Sequence, residues 1–153
     1  MKVNEGLVLL LDREINAPPS AVYRALTDPE ELAKWWGPRD FTAPSVEFAP
    51  RVGDGYRIAM QPPEGELFHL SGEFQEVDPP SRIAYTFRWD PPDADDQETL
   101  VTLSLEDLGE GTEIHLIQGE FTTEERRALH EGGWTDSFVR LERLLGETPN
   151  RSS

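Results

Sequence analysis

Residues 82–89 alternate without interruption: Ile83, Tyr85, Phe87 and Trp89 are apolar, and Arg82, Ala84, Thr86 and Arg88 stand between them. A period of two marks a strand with one buried and one solvated face. The same period runs through 100–105, with Val101, Leu103 and Leu105 set against Thr102 and Ser104, and through 112–118 around Ile114 and Leu116. Between these runs lies Asp107-Leu108-Gly109-Glu110-Gly111, whose glycines suit a hairpin turn with positive φ. Residues 7–15, 45–48, 56–60 and 67–77 supply the remaining strand candidates. Glu73 and Glu76 differ in parity along theirs and are expected on opposite faces.

Three stretches carry helix signals. Pro18-Pro19-Ser20 opens the first, with Val22, Ala25 and Leu26 as its apolar stripe. Asp28-Pro29-Glu30-Glu31 opens the second with an Asp cap, a proline and an acidic first turn, and Gly37-Pro38 stops it after Trp35-Trp36. Thr122 and Glu125 have capping-box spacing for the third, with Phe121 placed to staple its entry. This last helix sets Trp134, Phe138, Leu141 and Leu145 on one stripe. Gly132-Gly133 inside it costs about 1 kcal/mol each relative to Ala, which points to a close approach or a bend.

The order is therefore strand, two short helices, about six antiparallel strands and one long helix, an α+β arrangement. The apolar face of such a sheet must be covered, and the C-terminal helix alone is long enough to do it. A curved antiparallel sheet wrapped around a helix leaves a hollow between them. Neither a repeat nor a linker interrupts the pattern, so one domain is expected over 1–153, with a core at about 7–146 and a disordered tail at 147–153.

Composition narrows the function. Thirty Asp and Glu against fourteen Lys and Arg give a net charge of −16, which disfavours nucleic acid and anionic membrane as partners, because both need a basic surface. Cysteine is absent, which removes disulfides, thiolate metal sites and cysteine nucleophiles. The apolar run 7–11 is short and flanked by charge, unlike a signal peptide, and no stretch approaches the roughly 18–20 apolar residues of a membrane span. A cytoplasmic location is expected. Segment 90–98, rich in acid but interrupted by Pro91-Pro92, is expected to be a solvated loop rather than a metal loop.

Several motifs in their joint order resemble one family: Glu14-Ile15-Asn16-Ala17-Pro18-Pro19, Thr27-Asp28-Pro29-Glu30 through Trp35-Trp36-Gly37-Pro38, Gly72 through Thr86, and His130 through Trp134. Together they are similar to the single-domain bacterial relatives of the activator of the heat-shock protein 90 ATPase, in the START-like (SRPBCC) superfamily. The resemblance spans about 9–145. It implies the helix-grip, Bet-v-1-like fold, with six to seven strands around the long helix. It also implies a hydrophobic ligand cavity under that helix and no dedicated cofactor. Because this scaffold hosts lipid carriers, hormone receptors, polyketide cyclases and chaperone activators, it speaks to fold more than to function.

The cavity is expected to draw on Trp35, Trp36, Tyr56, Met60, Phe68, Leu70, Phe74, Tyr85, Phe87, Trp89, Trp134 and Phe138, with His69 and Gln118 as candidate polar groups and Arg88 outside. Trp35-Trp36 reads as a lid or an anchor, and helical geometry turns at most one of the pair fully inward. The histidines His69, His115 and His130 look scattered, and Trp134 stands where the second His of a zinc-protease motif would be, so no metal is expected. No nucleophile with an adjacent base is visible, and no catalytic residue is assigned. The leading expectation is non-enzymatic binding of a small hydrophobic molecule, as a monomer or homodimer. Two alternatives remain: a cyclase- or dehydratase-like enzyme with His69 or Tyr85 as proton carrier, and a chaperone-interacting module in stress response.

Overall fold

The computed structural model describes residues 7–37, 40–90 and 97–146. The expected tail at 147–153, Pro38 and most of the acidic connection at 90–98 lie outside them. The chain runs β1 (Leu9–Ile15), α1 (Pro19–Thr27), α2 (Pro29–Trp35), β2 (Thr42–Glu47), β3 (Gly55–Gln61), β4 (Phe68–Asp78), β5 (Arg82–Asp90), β6 (Thr99–Asp107), β7 (Thr112–Gly119) and α3 (Glu124–Gly146). Strands β2 to β7 form a meander, and β1 closes onto β7, so the seven-stranded order is β1-β7-β6-β5-β4-β3-β2. Every pairing is antiparallel. The two helices after β1 carry the chain from one edge of the sheet to the other. This is the helix-grip arrangement.

Local chemistry explains the boundaries. Asp28 caps α2 by accepting the Glu30 N–H at 2.9 Å, with Pro29 in the first turn. The β6–β7 turn places Gly109 at φ +91°, with its N–H donated to Asp107 Oδ1 at 2.9 Å. Gly72 of β4 faces a backbone rather than a side chain: a Cβ there would lie 1.9 Å from the Thr86 carbonyl oxygen. Tyr56 crosses that gap and donates its hydroxyl to the same oxygen at 2.6 Å.

Two local expectations are corrected. A bulge between Phe74 and Glu76 inserts one residue into β4, which shifts the parity and sets Glu76 against Arg82 at 2.9 Å on the outer face. The third helix is capped one residue later than the capping-box spacing suggests. Its cap is Thr123, whose Oγ1 accepts the Arg126 N–H at 3.1 Å. Phe121 packs its ring on that of His130, with centroids 4.9 Å apart.

The core lies between the concave face of the sheet and α3. Phe138 and Leu141 are fully buried on the inner stripe of α3, and Trp134 nearly so. Trp35 donates its indole N–H to the Ala25 carbonyl at 2.8 Å, which locks α2 to α1. Helix α3 runs unbroken through Gly132 and Gly133. Among the described residues no helix is long and apolar enough to cross a membrane.

Candidate functional site

A cavity of about 410 Å³ opens between the sheet and the N-terminal half of α3. Its aromatic wall is continuous. Phe41 meets Phe68 at 6.2 Å between ring centroids, Phe68 meets Trp89 at 5.2 Å, and Trp89 meets Phe87 at 5.2 Å. Phe87 then meets Trp134 at 6.4 Å, and Trp134 meets Trp36 edge-on at 5.3 Å. Met60, Leu129, Gly133 and Ser137 complete the lining together with Gly37, His130 and Arg126. Strand alternation sends Phe68, Phe87 and Trp89 inward, while Trp134 and Ser137 lie on the buried stripe of α3.

The polar groups at the cavity are few and mostly engaged. The Trp89 indole N–H points to His130 Nε2 at 3.4 Å, a long bond in which the imidazole accepts, so the hydrogen of the neutral ring sits on Nδ1. Burial, and secondarily the positive charge of Arg126, push the pKa of His130 down to about 4, so the ring is neutral at pH 7. Ser137 Oγ accepts the Gly37 N–H at 3.0 Å and lies 3.0 Å and 2.9 Å from the carbonyl oxygens of Gly37 and Gly133, to which its own hydrogen is donated. Arg140 Nη1 donates to the carbonyls of Trp36 at 3.1 Å, Gly37 at 3.2 Å and Phe41 at 3.3 Å. Ser137 and Arg140 thus pin the segment after α2, which contributes Trp36 and Phe41, to α3. Behind the wall, Trp134 donates to Gln118 Oε1 at 2.8 Å and Gln118 donates to Thr99 Oγ1 at 2.9 Å.

Of the residues expected at the cavity, Trp36, Met60, Phe68, Phe87, Trp89 and Trp134 line it. Of the others, the aromatic and aliphatic ones are buried elsewhere. Tyr56, Phe74 and Tyr85 pack with Phe48 in a separate aromatic cluster with centroid distances of 4.9 to 5.7 Å. Burial raises the pKa of the Tyr85 hydroxyl well beyond the ordinary tyrosine range. Leu70, Trp35 and Phe138 are fully enclosed in the core. His69 falls between Phe68 and buried Leu70, so alternation turns it to the outer face, and it is not among the lining residues. Gln118 supports Trp134 from behind and does not line the cavity either. Both indoles of Trp35-Trp36 are buried, because Trp36 ends the helix at ψ +135° and the angular step of a continuous helix does not apply to it.

The lining residues not anticipated are Gly37, Phe41, Arg126, Leu129, His130, Gly133 and Ser137. A signal existed for four of them: Arg126, His130, Gly133 and Ser137 continue the Trp134 stripe at helical spacing. The three histidines stay apart, with His130 at the cavity and His69 and His115 on the outer face. On the outer face, His115 Nδ1 lies 2.8 Å from Asp12 Oδ1 and its Nε2 lies 3.0 Å from Glu106 Oε1, with Glu113 3.9 Å away. Those carboxylates raise the pKa of His115.

A seven-stranded antiparallel sheet gripping a long C-terminal helix, with a hollow between them, defines a START-like helix-grip domain. Residues 16–146 match the family model described as Activator of Hsp90 ATPase homolog 1-like protein, and the chain belongs to that family. A solved protein of Chromobacterium violaceum is 32% identical, with 91% of this chain and 96% of that one covered and a TM-score of 0.82. The AHSA1 protein of Silicibacter pomeroyi is 30% identical over 91% of this chain and 97% of its own, with a TM-score of 0.80. A protein of Nitrosomonas europaea is 30% identical over 94% and 96%, with a TM-score of 0.79. No curated protein matches the chain.

Proposed function

We propose that this domain binds a small apolar molecule between its sheet and α3 without covalent chemistry, as a cytoplasmic carrier or sensor. The observation that carries this reading is the cavity of about 410 Å³ walled by six aromatic residues. That volume falls in the range of small-ligand sites, which are mainly apolar with a few placed polar groups. Burial of apolar ligand surface supplies about 25 cal/mol per Å² before ordering costs, enough for micromolar binding with little polar help.

The enzymatic alternative loses its named proton carriers. His69 is on the outer face, and Tyr85 sits in a separate cluster, held protonated by burial. At the cavity, His130 is paired with an indole, which neither donates nor accepts a proton in the physiological range. The family's description names an activator of a chaperone ATPase, and a chaperone surface on this chain is tested by the ATPase rate of its own organism's chaperone. The leading reading is tested by titrating the neutral fluorophore 1-aminoanthracene. Trp36, Trp89 and Trp134 border the cavity, so saturable quenching of tryptophan emission at one probe per chain is expected. Flat emission across the titration rejects the cavity as a binding site.

A further inference from the structure

We propose that the outer face of the sheet, away from the cavity, carries a site for one divalent transition-metal ion of the Zn²⁺ type. It is built on His115 and Glu113 of β7 and Asp12 of β1, with Glu106 of β6 beside them. The strand register assembles it. Asp12 stands opposite His115, Glu14 opposite Glu113, and Glu113 opposite Glu106. These positions share one parity with exposed Leu10 and Ile117, so their side chains lie on the solvated face.

Two features of the cluster call for a cation. First, both nitrogens of His115 face carboxylate oxygens: Asp12 Oδ1 lies 2.8 Å from Nδ1, and Glu106 Oε1 and Glu113 Oε1 lie 3.0 and 3.9 Å from Nε2. A neutral imidazole has one N–H and one lone pair, so one nitrogen turns its lone pair toward a carboxylate unless a proton or a metal ion stands between them. Second, Glu14, Glu113 and Glu106 occupy one cross-strand row, and like charges directly opposite each other destabilise a sheet. A proton on His115 offsets only one of the charges of Asp12, Glu14, Glu106 and Glu113. Elsewhere on the sheet acids pair with arginine: Glu76 with Arg82 at 2.9 Å, and Asp90 with Arg57 and Glu98 with Arg88 at 3.8 Å. Among the described residues no Lys or Arg forms an ion pair with any of the four carboxylates around His115. Arg82, which stands beyond Ser104 in the His115 row, bonds Glu76 and Ser104 instead.

The ligand atoms are near enough to close on an ion. One each from Asp12, Glu113 and His115 lie within 4.8 Å of one another, against a span of about 4.4 Å between opposite ligands at bonds of about 2.2 Å. Small side-chain rotations supply the difference, because all three side chains reach solvent. An imidazole with two carboxylates suits Zn²⁺ and its transition-metal neighbours, whereas Ca²⁺ and Mg²⁺ prefer oxygen ligands alone. Binding replaces the His115 proton: the ion takes the lone pair of a ring nitrogen and one proton leaves to solvent. The ion also ties the edge strand β1 to β7. One histidine is enough because neighbouring strands supply the carboxylates, so the spacing of the three histidines along the chain does not disclose the site.

The test is calorimetry on the full chain, stripped of metal with EDTA, dialysed, and titrated with ZnCl₂ in a large excess of Mg²⁺ that fills diffuse sites on the acidic surface. One Zn²⁺ per chain is expected. His115→Gln and Glu113→Gln should each weaken it at least about tenfold, the lower bound for losing even an outer-shell partner, and His69→Gln, on the same face outside the cluster, should leave it unchanged. Affinity is expected to rise with pH as the competing proton leaves His115. In the wild type the His115 ring resonances, read by NMR, are expected to move on titration while those of His69 and His130 hold, which locates the ion even if a variant fails to fold. Absence of binding, suppression by Mg²⁺, binding that His115→Gln leaves intact, or movement of His69 or His130 in place of His115 overturns the site.

Discussion

Protonation of His130 should govern a measurable part of the acid stability of this domain. The ring lies among Phe87, Trp89 and Phe121, with centroid distances of 5.3, 5.8 and 4.9 Å, and its pKa is lowered from 6.5 to about 4. In the unfolded chain the ring takes up its proton near pH 6.5, whereas the folded ring stays neutral down to about pH 4. The unfolded state therefore binds more protons across that window, and stability falls as pH falls. Above pH 6.5 both states are neutral and the group contributes no pH dependence. A separation of about 2.5 pH units at about 1.4 kcal/mol each gives a loss on the order of 3 kcal/mol between pH 7 and pH 4. Carboxylates titrate at the lower end of the same window, so the measurement is a difference: urea unfolding of wild type and His130→Phe at half-unit steps of pH. The variant should gain on the wild type by about 3 kcal/mol on going from pH 7 to pH 4. A difference that stays constant over the whole range refutes the reasoning, because it means that the folded ring protonates as freely as the unfolded one.

Other outcomes follow from single contacts. Gly133→Met should raise thermal stability, since a helix interior gains about 1 kcal/mol on losing a glycine, and should abolish 1-aminoanthracene binding because the new side chain occupies the cavity; unchanged binding would place the probe elsewhere. Gly72→Ala should cost more than the usual 1–3 kcal/mol of overpacking, measured by urea midpoint, because the added carbon meets the Thr86 carbonyl oxygen at 1.9 Å and the Tyr56 ring at 2.8 Å, so backbone has to shift. Ser137→Ala leaves the Gly37 N–H without its acceptor and should cost about 1–3 kcal/mol, with faster amide exchange at Gly37. Gln118→Leu should destabilise by a similar amount by orphaning the Trp134 indole N–H, and Gln118→Leu with Trp134→Phe should cost less than the sum of the two single changes.

The strands were legible because one physical signal dominates each of them. In β5 the sheet covers one face with aromatics and leaves the other wet, so the period of two survives in the residue string. The helix starts were legible at Asp28 because its carboxylate, the following proline and the acidic first turn all agree. Agreement failed at Thr122-Thr123, where two equivalent caps lie side by side and only packing selects the second. It failed again at Glu76, because the bulge between Phe74 and Glu76 is a backbone event that leaves no mark in the order of polar and apolar residues. Parity counting assumes an unbroken ladder, and β4 breaks it.

The cavity was less legible than the sheet because an inward aromatic can either fill the core or border a void, and composition does not separate the two. What separates them is the distance between sheet and helix at each level. At the level of Phe138 and Leu141 the two layers meet and the side chains interlock, whereas at the level of Gly133 the helix offers no side chain and the gap stays open. Gly132 is outside this gap, exposed and with nothing within 4 Å of its would-be Cβ. One glycine removes a wall from the inner stripe, and the ring of His130 and the guanidinium of Arg126 stand a turn and two turns before it. The polar residues at the cavity are thus the continuation of the stripe that buries Trp134, and their chemistry was hidden because a stripe is ordinarily traced through its apolar members alone. In α3 the titratable residues on this stripe, with Gly133 beside them, mark the place where the helix stops packing against the sheet and borders the cavity.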